Sequence, residues 1–118
     1  MVIQIGNYYS VYHLQVFGAI MENAIDGLEP KLLWSIFQQI CEIPRPSKHE
    51  EKILRYLKDF ASERNLKYKQ DKVGNLIISR PGTNGGENAK IVVIQSHIDM
   101  VCEKNSDKIH DFFKDPIT

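Results

Sequence analysis

Two stretches of the chain carry apolar residues at intervals of three and four, the spacing that places side chains on one face of an α-helix. In the first stretch, "EPKLLWSIFQQICEIP", these residues are Leu32, Leu33, Ile36, Phe37 and Ile40. Pro30 suits the first helical turn, where a missing N–H removes no hydrogen bond. Pro44 and Pro46 end the pattern. We therefore expect an amphipathic helix between these prolines.

The second stretch, "PSKHEEKILRYLKDFASERN", has a marked start and stop. Ser47 and Glu50 have the spacing of a capping box, in which each side chain accepts a bond from an otherwise unpaired backbone N–H. Glu50 and Glu51 complement the helix dipole and are not interpreted as a catalytic pair. Asn65 suits a left-handed residue at the helix end. The predicted buried face consists of Ile53, Leu54, Leu57, Phe60 and Ala61.

The period then changes to the alternation of β-strands. "LKYKQD" and "NLIISR" flank a turn around Gly74 and predict a hairpin over residues 66–80. The glycine-rich "PGTNGGEN" lacks the GxxxxGK pattern of a phosphate loop. Residues 91–94 are continuously apolar, which is typical of a strand inside an α/β sheet. The predicted fold class is α/β: two helices, a hairpin and a central strand of a larger sheet.

Composition excludes several classes of function. The chain has 118 residues, enough for one domain or part of one, with 15 basic and 15 acidic residues. This balance argues against a nucleic-acid partner, and no apolar run approaches the length of a membrane span. Cys41 and Cys102 have no metal-type spacing, and we expect free thiols in a reducing cytosol.

The first twenty residues carry an apolar bias without Lys or Arg. They lack the positive region and cleavage site of a secretory signal, so we do not predict one. A poorly ordered extension, an extra strand and an extra helix remain open, and Met21 is an alternative natural start.

The apolar run ends in the short motif His97-Ile98-Asp99. Ligands of open α/β sheets bind beyond the carboxyl ends of the strands. In extended chain, His97 and Asp99 project to the same side. A metal-bound imidazole needs an acceptor for its second ring N–H, and a carboxylate supplies one. The motif therefore suits a metal ligand with its orienting partner, while a structural histidine at a strand end remains the alternative.

Several longer blocks resemble one known family. "LWSIFQQICEIPRPSKHEEKI", "DKVGNLIISRPGTNGGEN", "IVVIQSHIDMVCEKN" and "HDFFKDPI" match, in order, the Xaa-His dipeptidase family (aminoacyl-histidine dipeptidase, peptidase D type). This family is a branch of the dizinc aminopeptidases and carboxypeptidases. The resemblance runs from about Leu28 to Ile117, which is almost everything except the N-terminal stretch.

The resemblance implies a function and roles for two residues. His97 matches the first zinc ligand, and Asp99 matches the active-site aspartate that orients it. The family uses two zinc ions, with other divalent metals as alternatives, and a metal-activated water that attacks the peptide carbonyl. The implied substrates are dipeptides, including those with C-terminal histidine. The implied full-length enzyme is cytoplasmic and homodimeric.

The resemblance also predicts that the site is incomplete. The remaining ligands and the general base lie downstream in the family, whereas a catalytic zinc has three protein ligands. We therefore expect an unmatched, poorly ordered extension at residues 1–27 and an incomplete metallopeptidase domain at 28–118. The isolated chain should be inactive and should associate through an unpaired sheet edge. The competing hypothesis is a non-catalytic α/β interaction module in which His97 and Asp99 are structural.

Three other candidates are given ordinary structural roles. His49 is expected to be a solvated side chain in the first turn of the second helix. His110 and Asp111 face opposite ways in extended chain and match a family loop, not a ligand. Cys102 lies near the motif and is expected to be a packed thiol.

Overall fold

The computed structural model describes residues 25–117, so the predictions made for residues 1–24 lie outside it. The elements follow the order α1 (Lys31–Cys41), α2 (Glu51–Glu63), β1 (Lys67–Gln70) and β2 (Leu76–Ser79). Two helices followed by a hairpin are therefore confirmed. Within the described range, none of the helices has the length and apolarity needed to cross a bilayer.

Helix α1 is amphipathic but only partly covered. Pro30 is its N-cap, one position before the predicted first turn, and the helix ends at Cys41 before the two prolines. Ile36 is buried, whereas Leu32, Leu33 and Phe37 are each about half exposed. The predicted stripe exists, but residues 25–117 leave most of it open to solvent.

Helix α2 supplies most of the buried core. Ile53, Leu57, Phe60 and Ala61 are buried, and the helix packs against β1. Tyr56 Oη donates a hydrogen bond of 3.1 Å to Gln39 Oε1 and so joins the two helices. The Tyr56 side chain is partly buried, and this burial raises the pKa of its phenol.

The C-terminal end of α2 follows the prediction. Asn65 has φ 53°, the left-handed conformation expected of a helix stop. The Arg64 guanidinium lies 3.5 Å from the centre of the Phe60 ring and covers that side of the core. The chain then turns directly into β1 at Lys67.

The predicted capping box is wrong. Helix α2 begins at Glu51 with Glu50 as its N-cap, and no side chain caps it. The reason is a turn before the helix, in which His49 N donates to Pro46 O and Lys48 adopts φ 73°. The Glu50 carboxylate accepts a bond from Lys48 N, and the Ser47 hydroxyl, which caps no helix, bonds elsewhere.

The predicted hairpin is formed by an antiparallel pair of strands, with Lys67 opposite Ser79 and Gln70 opposite Leu76. Its turn is organised by Asp71, whose carboxylate accepts bonds from Val73 N (3.0 Å), Asn75 N (2.9 Å) and Asn75 Nδ2 (2.8 Å). The Asn75 side-chain bond, followed by the backbone bonds, lowers the pKa of Asp71. Gly74 supplies the positive φ of 99° that the turn requires.

The predicted central strand is not formed. Residues 91–96 have no strand structure, and the sheet described within 25–117 consists of β1 and β2 alone. Ile91 and Val93 are 91% and 81% exposed. A strand of this kind needs neighbouring strands and a layer on each face, and residues 25–117 supply neither. The α/β class is shown by the helices and hairpin, and the central strand is the corrected element.

Candidate functional site

The His97-Ile98-Asp99 motif is held by the loop between the two helices. Met100 N donates to Arg45 O at 2.9 Å, and Ser47 N donates to Met100 O at 3.1 Å. These bonds form a parallel bridge between Pro46 and Met100, which we call the loop clamp. The residues just after the motif are therefore fixed, although residues 91–96, which lead into it, form no strand.

Arg45 also stabilises the helix from which this loop leaves. Its guanidinium Nη1 donates to Ile40 O at 2.5 Å and to Ile43 O at 3.2 Å. Ile40 lies in the last turn of α1 and Ile43 just beyond it, where carbonyls lack the regular donors of the helix interior. The loop clamp is thereby anchored to the end of α1.

His97 and Asp99 meet as their spacing predicts. His97 Nδ1 lies 2.9 Å from Asp99 Oδ1. An ionised carboxylate only accepts hydrogen bonds, so the facing Nδ1 carries the proton, and in the neutral imidazole Nε2 then keeps its lone pair. The His97 side chain is 80% exposed, whereas that of Asp99 is 30% exposed. The arrangement presents a fixed, accessible nitrogen that can bind a metal.

Ser47 completes this arrangement. Its hydroxyl donates to Asp99 Oδ2 at 2.5 Å, so each carboxylate oxygen has its own donor. The bond from Ser47, and after it the bond from His97, holds the pKa of the Asp99 carboxyl below its ordinary value. A carboxylate that stays ionised remains an acceptor for His97 Nδ1.

Ser47 is the site residue that sequence reasoning missed. Its spacing to Glu50 suggested a helix cap, and that local pattern suggested no other role. The partner is 52 residues away, where no periodicity or motif connects the two positions. A serine beside a proline in a loop between helices is the weak signal that remains.

The segment after the motif returns to the helices. Ile117 N donates to Cys41 O at 3.0 Å, and Lys52 Nζ donates to Phe113 O at 3.3 Å. His49 is exposed but packs against the Phe113 ring in a T-shaped arrangement, with 5.1 Å between the ring centroids. It is therefore solvent-accessible, as expected, and also part of this contact.

The remaining candidates have local contacts. The Asp111 carboxylate pairs with Lys114 at 2.9 Å and accepts from Phe113 N, and the Lys114 bond is the main cause of its lowered pKa. The ring of His110 packs edge-on against Phe112. Cys102 is exposed, so the expectation of a packed thiol is wrong.

The donor set fits one metal ligand and not a whole site. Among residues 25–117, no group of three or more His, Cys, Asp or Glu side chains is placed to hold a metal ion. His97 has the chemistry of a ligand because its Nδ1 is held and its Nε2 is accessible. Any further ligands would have to come from outside these residues.

Comparison with known proteins finds close relatives of this chain, although no protein-family model matches it. The cytosol non-specific dipeptidase of Escherichia coli strain K12 is 51% identical over 93 residues, which is 79% of this chain and 19% of that protein. The crystal structure of an aminoacylhistidine dipeptidase from Vibrio alginolyticus superposes with a TM-score of 0.74 at 47% identity. The match covers 80% of this chain and 19% of that one.

Both relatives are named dipeptidases, and the chain spans about a fifth of the length of each. The identity is high, and the backbone of the Vibrio protein is reproduced over most of this chain. Sequence and fold thus agree, and the chain belongs to the Xaa-His (aminoacyl-histidine) dipeptidase family.

Proposed function

We propose that this chain provides the first metal ligand of a zinc-dependent dipeptidase. His97 would bind zinc through Nε2, and Asp99 would orient the ring. The observation that carries the proposal is the 2.9 Å contact between His97 Nδ1 and Asp99 Oδ1, which leaves Nε2 accessible. This is the usual relation between a zinc-bound histidine and its carboxylate partner.

Bound zinc would supply a nucleophilic water at neutral pH and would polarise the peptide carbonyl. The contribution of the chain itself is positional. Asp99 holds the His97 proton on Nδ1, which directs the Nε2 lone pair outward and makes that nitrogen more basic. The loop clamp fixes Met100, next to Asp99, and so keeps the carboxylate in reach of the ring.

The finer properties of the proposed enzyme rest on its relatives. A dipeptide substrate is supported by both of their names, and Xaa-His dipeptides are one class within it. A cytoplasmic location is supported by the word "cytosol" in the name of the E. coli protein. We further propose two zinc ions, a homodimeric full-length enzyme, and residues 28–118 as an incomplete catalytic domain.

The test is a chimera. The matching segment of the E. coli dipeptidase is replaced by residues 25–117, and hydrolysis of Xaa-His and other dipeptides is measured with added zinc. The expected result is turnover that a chelator abolishes. His97→Ala should reduce turnover by more than about 100-fold, because losing a ligand exceeds the usual effect of losing its supporting partner.

The matched control is His110→Ala, which removes an imidazole packed on Phe112 and should leave turnover nearly unchanged. A folded chimera without turnover would contradict the proposal and favour the non-catalytic interaction module. A chimera that His97→Ala leaves fully active would contradict the role given to this residue.

A further inference from the structure

The Asp99 carboxylate lies between two donors from distant parts of the chain. Oδ2 accepts from the Ser47 hydroxyl at 2.5 Å, and Oδ1 accepts from His97 Nδ1 at 2.9 Å. The terminal torsion of an aspartate is broad and roughly two-fold, so a carboxylate with one partner can rotate. A second donor on the other oxygen fixes the plane of the group and the direction of Oδ1.

The position of Ser47 does not depend on its hydroxyl. The loop clamp holds its backbone through Ser47 N to Met100 O and Met100 N to Arg45 O. The side chain is exposed, and its other acceptor, Met100 O, lies farther away at 3.4 Å. Removal of the hydroxyl therefore removes the bond to Asp99 while the backbone bonds that place the loop remain.

We propose that Ser47 is a positioning residue for the metal site: its hydroxyl fixes the Asp99 carboxylate so that the proton of His97 stays on Nδ1. Its effect on the tautomer of His97 stands on the contacts described above. Its consequence for zinc rests on the proposed function. The loop between α1 and α2 thereby supports the site although it carries no ligand of its own.

The test measures the tautomer directly in the metal-free, 118-residue chain. With histidine labelled by ¹⁵N, long-range ¹H–¹⁵N correlation spectra report which ring nitrogen carries the proton. The measurement is made at about pH 8.5, where an ordinary imidazole is neutral. The wild-type chain should show His97 protonated at Nδ1. Ser47→Ala should raise the population protonated at Nε2 several-fold, with the melting temperature unchanged.

Two further variants separate positioning from folding. Ser47→Thr keeps a hydroxyl and should restore the wild-type tautomer. Ser47→Cys keeps a side chain of the same shape, although slightly larger, but offers only a weak donor, so it should behave like Ser47→Ala. His49 and His110 serve as internal controls and should show no change. A wild-type tautomer of His97 in both Ser47→Ala and Ser47→Cys would overturn the inference.

The zinc-loaded chimera distinguishes this inference from the function on which it rests. Ser47→Ala should weaken zinc binding there by roughly 10-fold, the lower end of the effect of supporting partners. If the tautomer changes but zinc does not bind at His97, the positioning role is upheld and the proposed metal site is refuted. If zinc binds at His97 while the tautomer is unchanged, the positioning role is overturned and the metal site remains.

Discussion

Ile53 is the position at which the described core can be tested most sharply. It lies in the middle of the buried face of α2 and is 2% exposed, and few other large side chains in residues 25–117 are buried. Isoleucine-to-alanine changes in such positions cost about 2–5 kcal/mol, because transfer energy is lost and a cavity remains. We expect Ile53→Ala to lower the free energy of unfolding by about 3 kcal/mol.

This cost is large for a core of this size. The free energy of unfolding of small domains is about 5–15 kcal/mol, and a chain with so few buried side chains should lie near the lower limit. In urea, with a slope of about 1–3 kcal/mol/M, the midpoint should fall by roughly 1–3 M. The assay is urea unfolding followed by circular dichroism and by Trp34 fluorescence, with coincident transitions expected for the wild type.

The control is Leu33→Ala in α1, where the side chain is 47% exposed. Half-burial of a leucine contributes about 1 kcal/mol, so this variant should lose roughly a third as much stability. Equal losses of stability in the two variants would refute the difference in burial between Ile53 and Leu33. A midpoint for Ile53→Ala within 0.2 M of the wild type at equal slope, on the order of 0.5 kcal/mol, would refute the packing of α2.

Two other predictions follow from particular contacts, and a third follows from the single metal ligand in the described residues. Tyr56→Phe removes the hydrogen bond to Gln39 and should lower the free energy of unfolding by about 1 kcal/mol in the same assay. Tyr68→Phe is the control, and equal effects of the two changes would contradict the contact between α1 and α2. The pKa of Asp71 is lower in the native state than in the unfolded state, so the stability it contributes should be complete above its unfolded value of about 3.9 and should vanish as pH falls through the lower native value. Urea midpoints measured from pH 7 to 2 should therefore drop at acid pH, and the drop should be smaller in Asp71→Asn. Equal drops in the two proteins would refute this prediction. The isolated chain should not hydrolyse Xaa-His dipeptides with added zinc, since residues 25–117 place one metal ligand; turnover that His97→Ala abolishes would contradict this.

Local patterns predicted the helices and the hairpin because those elements satisfy their hydrogen bonds among near neighbours. Asn65 as the left-handed end of α2 and Gly74 in the hairpin turn follow from the same local chemistry. The contact between His97 and Asp99 could also be predicted, since two residues of extended chain are enough to bring the side chains together. Each of these features is determined within a few positions of sequence.

The failures involve distant partners. The spacing of Ser47 and Glu50 fits a capping box, but a turn at Lys48 moves the helix start and the hydroxyl bonds Asp99 instead. The apolar run at 91–94 has the composition of a central strand. Such a strand forms only where neighbouring strands supply hydrogen bonds and packed layers bury its two faces. Sequence patterning records a preference for burial and does not identify the partner that would provide it.

The central claim is that His97 coordinates a metal through Nε2 while the Asp99 carboxylate accepts a hydrogen bond from Nδ1. The most direct test is a crystal structure of the zinc-loaded chimera. The expected result is His97 Nε2 at about 2.0–2.1 Å from zinc, with Nδ1 still bonded to Asp99. Zinc held without His97, or bound through its Nδ1 with Asp99 turned away, would contradict the account.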